Sequence, residues 1–139
     1  MSSAPPIRVE TRYVSPAGQF LPALVLQATV LVDSYMLWIG ATNESEENAK
    51  VTPLQGTLAR DWACAMPPGK AVIGTPLFRS SSSDVALAMA QRLARRFKKQ
   101  IFLSVDVPPS LESMGQSPRI LLEVEKALVQ TLRQLEGSE

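Results

Sequence analysis

Several segments of this sequence alternate so that large apolar side chains fall on both faces of a strand. In a strand, successive side chains point to opposite faces. The segment Tyr35 to Ala41 divides into one set with Tyr35, Leu37 and Ile39 and an opposite set with Met36, Trp38 and Gly40. The segments Leu24 to Val32 and Gln100 to Val107 are also apolar on both sides. A sheet built from these strands must be covered on both faces, which is the strongest constraint on the fold.

The order of predicted elements is five strands, a helix, a strand and a second helix. The strands are predicted at 7–14, 24–32, 35–41, 57–66, 71–78 and 100–107. The first helix is predicted to follow an N-cap cluster at 80–84 and to run to about residue 98, and the second helix is predicted at 117–136. Hairpin-like connections among the first five strands favour an antiparallel sheet, with both helices mainly on one face. The sequence thus predicts an α+β fold with a single six-stranded antiparallel sheet. We expect one domain over 7–136, with short tails at 1–6 and 137–139.

Two helices cover only one face of such a sheet, so the other face needs a different cover. A face that carried Met36, Trp38 and Phe102 in solvent would be a sizeable apolar patch, and such patches usually mark an interface. Sheet-on-sheet packing with a partner would bury it. Alternatively, the loops, especially the acidic loop at 42–56, fold back over that face. We favour the interface, which leaves this face available for sheet-on-sheet dimerisation.

The composition argues against most kinds of catalytic and metal site. The sequence has no histidine, which is both the commonest general base and the usual metal ligand. Cys64 is the single cysteine, so the chain cannot form an internal disulfide, which fits a reducing compartment. The most apolar stretch, Phe20 to Ile39, is interrupted by polar residues, which argues against a membrane span. We predict no enzymatic activity, no cofactor, no metal and a cytosolic or nuclear location.

The densest charge cluster lies at the end of the first predicted helix. It consists of Arg92, Arg95, Arg96, Lys98 and Lys99. One interpretation is the solvated side of an amphipathic helix, with cations where the helix dipole favours them. The cluster is also a candidate docking patch for an acidic protein surface or, less favoured, for nucleic acid. The net charge of +1 gives the whole molecule no general attraction to nucleic acid.

Two stretches of the sequence are distinctive: DSYMLWIGA at 33–41 and AQRLARRFKKQIFLSVDV at 90–107. Together with WACAM at 62–66, the serine run at 80–83 and a fainter similarity in LLEVEKALVQTL at 121–132, they resemble the fourth proteasome assembly chaperone. The combination of AQRLAR, a basic helix end and KQ followed by three apolar residues and a serine is fairly specific. The sequence departs from the family in longer loops at 42–56 and 108–117 and in a first strand without a recognisable signature.

The resemblance implies a partner and a surface. Members of this family are small six-stranded antiparallel sheets with helices on one face, and they pair sheet against sheet with the related third chaperone. The heterodimer helps the α-subunit ring of the 20S proteasome to assemble and leaves before the mature particle forms. By this resemblance, the residues expected at the partner interface are Met36, Trp38, Gly40, Phe102 and Ser104. The opposite set, which includes Tyr35, Leu37 and Ile39, is then expected under the helices.

Two other functions use the same residues. A dimerising scaffold or adaptor in another complex would use the same sheet face, and a nucleic-acid binder would use the Arg92–Lys99 helix end. If Trp38 faces a partner, a Trp38→Asp variant is expected to fold alone and to lose its dimer. Loss of folded protein would instead place Trp38 in the core of the single chain and reverse the choice of face.

Overall fold

The computed structural model describes residues 7–16, 21–42, 61–66, 74–78, 85–106 and 117–137. Its elements are β1 (Arg8–Val14), β2 (Ala23–Leu31), β3 (Ser34–Thr42), β4 (Trp62–Ala65), β5 (Gly74–Phe78), α1 (Val85–Phe97), β6 (Gln100–Asp106) and α2 (Ser117–Gly137). The predicted α+β fold with six strands and two helices is confirmed. The predicted tail at 1–6, most of the loops at 42–56 and 108–117, and the serine run at 80–83 lie outside the described residues.

The six strands form one mixed sheet in the order β1-β2-β3-β6-β4-β5. Four pairings are antiparallel, but β3 and β6 run parallel, with Leu37 beside Leu103. The prediction of a wholly antiparallel sheet is therefore wrong for this central pair. Parallel neighbours need a crossover connection, usually through a helix, and here the chain crosses through α1 before it enters β6. The strand β4 then pairs antiparallel with the other side of β6.

Two residues with positive φ mark sharp turns of the chain. Only Val32 and Asp33 separate β2 from β3, and Asp33 has φ 55°. Aspartate is among the residues that tolerate this left-handed region, which makes the two-residue hairpin possible. Lys98 has φ 57° directly after the last residue of α1. This turn ends the helix and leads the chain into β6.

Both helices pack on the same face of the sheet, which we call the helix-covered face. As predicted, Tyr35, Leu37 and Ile39 lie on this face and are almost completely buried. The buried residues of α1 in this core are Ala86, Met89, Ala90, Leu93 and Ala94, and those of α2 are Ile120, Val124, Ala127, Leu128, Leu132 and Leu135. Leu121, which follows Ile120 on α2, is only half-buried. Neither helix of the described ranges is both long and apolar enough to cross a membrane.

The start of α1 is held by a carboxylate that lies far away in the sequence. Asp61 is 4 % exposed, and its Oδ2 accepts a hydrogen bond of 3.1 Å from the backbone N–H of Val85. Negative charge at a helix N-terminus is favourable because the first N–H groups have no partners within the helix. Asp61 also accepts from the N–H of Val105 through its carbonyl oxygen, at 2.8 Å. One residue thus ties α1 to β6.

The end of α2 is fixed to the sheet by a cluster of three polar side chains. The hydroxyl of Tyr35 donates a hydrogen bond to Glu136, and Lys99 Nζ lies 2.9 Å from the same carboxylate. Lys99 also lies 5.2 Å from the centre of the Tyr35 ring. Burial and the bond to Glu136 raise the pKa of Tyr35 to about 12, and the hydrogen bond from Tyr35 lowers the pKa of Glu136. The polar groups of this cluster therefore satisfy one another.

Candidate partner interface

The side of the sheet opposite the helices, which we call the second face, carries all five residues predicted at the partner interface. The strand pairings place Met36 beside Phe102, Trp38 beside Ser104 and Gly40 beside Asp106. Because paired residues of neighbouring strands share a face, the five predicted residues form one continuous area. The central positions of this area come from β3 and β6, which are the two middle strands of the sheet.

A second tryptophan, Trp62, also lies on the second face, and the interface predicted from the sequence did not include it. Ser104 pairs with Trp38 on one side and with Trp62 of β4 on the other. Trp38, Ser104 and Trp62 therefore form one row across three neighbouring strands, which we call the Trp-Ser-Trp row. The WACAM segment was predicted as a strand, but its face depends on its pairing with β6. That pairing joins strands that are not consecutive in the sequence, so the alternation within WACAM alone gave no signal for the row.

Trp38 is more buried than the sequence suggests. Its side chain is 7 % exposed, Ser104 is fully buried, and Met36, Trp62 and Phe102 are half-buried. The expectation of a Trp38 side chain in solvent is therefore wrong. Trp38→Asp would place a carboxylate in a buried site, so we expect that variant to lose its fold although Trp38 lies on the second face.

Gly40 explains how the indole lies flat against the sheet. A Cβ atom built on Gly40 would lie 2.6 Å from Cζ2 and 2.7 Å from Cη2 of Trp38. These distances are far shorter than a normal carbon–carbon contact. The indole thus occupies the space that any other side chain at position 40 would fill. Val25 and Tyr13 complete this small cluster, which is separate from the core under the helices.

The Trp-Ser-Trp row contains three buried polar atoms without a hydrogen-bond partner in the described part of the chain. They are Trp38 Nε1, Trp62 Nε1 and Ser104 Oγ. A buried donor or acceptor that lacks a partner costs about 1–3 kcal/mol, and such groups are uncommon in folded proteins. Three of them in one row are an unusual concentration. These atoms are inaccessible in the single chain, so groups of an additional molecule can satisfy them only if the indoles shift.

The predicted basic cluster is not a single free patch. The guanidinium of Arg92 donates two hydrogen bonds to Glu125 of α2, at 2.7 and 2.9 Å, and these bonds raise the pKa of Arg92 above its ordinary value. Lys99 is engaged by Glu136, as described above. Arg95, Arg96 and Lys98 are exposed. The packing of α2 beside α1 thus divides the cluster into two engaged cations and three exposed ones.

The acidic and cysteine side chains of the described residues are dispersed. No three aspartate, glutamate or cysteine side chains among them come close enough together to hold a metal ion. Cys64 is half-buried on the second face, where its sulfur accepts a hydrogen bond from Gln100 Nε2 at 3.4 Å.

Comparisons with known proteins were made for the whole chain. A search of curated proteins found no match. Among solved structures, a chain of a chaperone complex for yeast 20S proteasome assembly superimposes with a TM-score of 0.67 at 21 % identity. The alignment covers 92 % of this chain and 96 % of that chain. At this level of identity the likeness establishes that the two chains share a fold.

The family comparison is more specific. The family model of proteasome assembly chaperone 4 matches residues 23–107, which are more than half of the 139 residues. The matched range runs from the start of β2 to the residue after β6 and includes the whole Trp-Ser-Trp row. The chain therefore belongs to the proteasome assembly chaperone 4 family.

Proposed function

We propose that this protein is a non-catalytic assembly chaperone of the 20S proteasome that pairs with a related small chaperone through the second face of its sheet. The pair would promote assembly of the α-subunit ring and bind α subunits transiently. Family membership supports the assembly role. The similar yeast chain comes from a chaperone complex, which agrees with action as part of a complex.

The observation that carries the choice of surface is the Trp-Ser-Trp row. Its two indole N–H groups and one hydroxyl are buried without partners in the described part of the chain. A partner sheet packed about 10 Å away would bring polar groups close to this row, and they would reach the three atoms once the indoles shift on pairing. It would also cover Met36 and Phe102, which are half-buried in the single chain. Pairing would thus improve both the apolar and the polar contacts of this face.

The proposed mechanism is binding without chemistry. A chaperone that must leave the finished particle needs an affinity for its client that later contacts can overcome. Because the second face is only partly exposed in the single chain, pairing would bury a moderate additional apolar area and give a moderate affinity. The hydrogen bonds of the row would add specificity, because a partner without suitable groups would leave the row unsatisfied.

The direct test is affinity capture of the tagged chain from its native extract, with mass spectrometry of the associated proteins. We expect one small chaperone related to this family and 20S α subunits, without mature β subunits. Recovery of a different complex would favour a scaffold or adaptor that uses the same face. Recovery of neither the small chaperone nor α subunits would contradict the proposal.

A pair of variants tests the surface. Phe102→Asp places a charge on the second face and is expected to abolish recovery of the small chaperone. Ala88→Asp places the same charge on an exposed position of α1 and is expected to leave recovery unchanged. Circular dichroism must show that both variants are folded. Retention of the partner by folded Phe102→Asp would assign pairing to another surface.

A further inference from the structure

A groove runs between α1 and α2 and is separate from the second face of the sheet. It has a volume of about 590 Å³, and its walls carry Arg96 of α1 and Lys126 and Arg133 of α2. Leu122, Glu125 and Val129 also line it. Because α1 and α2 both pack on the helix-covered face, a partner sheet on the second face would leave this groove accessible. We call it the helix groove.

The charges of the helix groove are unbalanced. Its lining includes three cations and a single carboxylate, that of Glu125, which is already engaged by two hydrogen bonds from Arg92. Arg96 and Arg133 have no ion pair within the described part of the chain. Lys126 lies 3.6 Å from Glu123 and is 64 % exposed, so this ion pair contributes little. The groove is therefore a site of positive potential.

An apolar side chain lies exposed among these cations. Leu122 is 56 % exposed, whereas the half-buried Val129 lies seven residues further along α2 and packs partly against the core. Residues seven apart lie on the same side of a helix, about 10 Å from each other along its axis. Leu122, by contrast, takes no part in the core. The combination of a leucine with flanking cations suits a segment whose carboxylates flank an apolar side chain.

We propose that the helix groove binds an acidic segment of the client α subunit, with an apolar side chain on Leu122 and carboxylates on Arg96 and Arg133. This inference rests on the proposed function, because it names the surface used for the client. A protein segment fits better than nucleic acid. The described lining contains no aromatic side chain on which a base could stack, and phosphates gain nothing from the exposed leucine.

The test measures binding of the complete chaperone pair to purified 20S α subunits. The double variant Arg96→Glu with Arg133→Glu reverses the two unpaired cations of the groove. It is expected to lower affinity at least about tenfold, because charge pairs across an interface are lost and replaced by repulsion. Leu122→Ser is expected to lower affinity by a smaller factor. The wild-type affinity should also fall more steeply with salt than that of the double variant.

A matched double variant separates the groove from general basic charge. Arg95→Glu with Arg119→Glu reverses the same number of charges at exposed positions that do not line the groove. We expect a smaller loss of α-subunit affinity than in the groove variant, because Arg95 and Arg119 adjoin the groove without lining it. Equal losses in the two double variants would instead support the helix end predicted from the sequence and would overturn the groove.

The remaining outcomes distinguish this inference from the proposed function. If the wild-type pair binds α subunits and the groove variant binds them equally well, the groove inference is wrong and the proposed function stands. If the wild-type pair binds no α subunit, both are wrong. If the wild type binds a labelled oligonucleotide and only the groove variant loses it, the groove is a nucleic-acid site and the inference is also overturned. All variants must still form the pair with the small chaperone.

Discussion

On the helix-covered face, buried side chains from four strands and both helices form one continuous cluster, whereas the second face has only Val25 and Trp38 in its buried cluster, with Tyr13 packed beside them. The polar groups differ in the same way. Tyr35, Glu136 and Lys99 satisfy one another under the helices. On the second face, the three polar atoms of the Trp-Ser-Trp row have no partner among the described residues.

This difference indicates which contacts a single chain can complete. The helices supply both the apolar cover and the polar partners of the helix-covered face, so that face is finished within the chain. One buried atom on that side, Arg12 Nε, also lacks a partner, but the same guanidinium donates through Nη1 to Gln134 of α2. The second face has no comparable arrangement in the described part of the chain, which agrees with a surface that a partner completes.

The largest expected difference between the faces lies within two neighbouring residues of β3. Leu37 is 1 % exposed under the helices, and Met36 is half-buried on the second face. Leu37→Ala is expected to lower the free energy of unfolding by about 2–5 kcal/mol, because it leaves a cavity in the core. Met36→Ala should cost the single chain less than half as much and should weaken pairing with the small chaperone. Urea denaturation of each variant measures the first effect, and titration with the partner measures the second.

Equal losses of stability for Leu37→Ala and Met36→Ala would show that the second face is as complete as the first in the single chain. Such a result would remove the main reason to place a partner there.

The second prediction concerns the close approach of Trp38 to Gly40. Gly40→Ala would force the indole away from the sheet, because the new methyl group would lie 2.6 Å from Cζ2. Overpacking of this kind costs about 1–3 kcal/mol. We expect lower stability in urea and a changed near-ultraviolet circular dichroism signal from the tryptophans. As a control, Gly137→Ala places a methyl group where no atom lies within 4 Å and should not destabilise the chain. An unchanged tryptophan signal in Gly40→Ala would contradict the close approach of the indole to Gly40.

Much of this contrast is predictable from the sequence. Strand alternation predicts which residues of β3 and β6 lie under the helices, because period two fixes the face once a strand is identified. The same alternation places Met36, Trp38 and Ser104 together on the second face. These predictions need only local spacing and the number of helices.

The parts that the sequence does not predict depend on which strands become neighbours. The parallel pairing of β3 with β6, and hence the place of Trp62 beside Ser104, follows from a crossover rather than from local spacing. The contact between Asp61 and the start of α1 depends on the same arrangement. The division of the basic cluster requires Glu125 of α2 to lie beside Arg92. Hydrophobic patterning is insensitive to such contacts between distant elements.

The third prediction tests the satisfied polar cluster under the helices. Glu136→Gln is expected to lower stability at neutral pH by roughly 1 kcal/mol, because a charged acceptor for Tyr35 and Lys99 is lost. The pKa of Glu136 is lowered in the folded chain, so its contribution is present above the ordinary pKa of glutamate. That contribution disappears as the pH falls through the lowered value. The stability difference between wild type and Glu136→Gln should therefore shrink in acid.

The alkaline side gives an independent check of the same cluster. Folding raises the pKa of Tyr35 from 10.0 to about 12, so its contribution is complete below pH 10 and is lost as the pH rises through about 12. Glu123→Gln is the matched control, since among the described residues the ion-pair partner of Glu123 is Lys126, at 3.6 Å. A stability difference for Glu136→Gln that stayed constant from neutral to acidic pH would contradict this account.

The smallest predicted effect has the opposite sign and bears most directly on the contrast between the faces. Ser104 is fully buried and its hydroxyl has no partner among the described residues. Ser104→Ala should therefore leave the single chain as stable as wild type or stabilise it by up to about 1 kcal/mol, because a buried unsatisfied group is removed. Ser34 lies on the same face, is 8 % exposed, and donates to the carbonyl oxygen of Val32 at 3.3 Å. Ser34→Ala should cost about 0.5–1.5 kcal/mol, since it removes a hydrogen bond that is made.

The same Ser104→Ala variant should bind the small chaperone more weakly than wild type, because the partner would lose one of the groups it satisfies. Urea denaturation of the single chain and titration with the partner would together show this reversal of sign. Two results would contradict it. If Ser104→Ala destabilised the single chain as much as Ser34→Ala does, an ordered water would already satisfy the row. If Ser104→Ala left both stability and pairing unchanged, the partner would not reach the row, and the interface would lie toward Met36 and Phe102 instead.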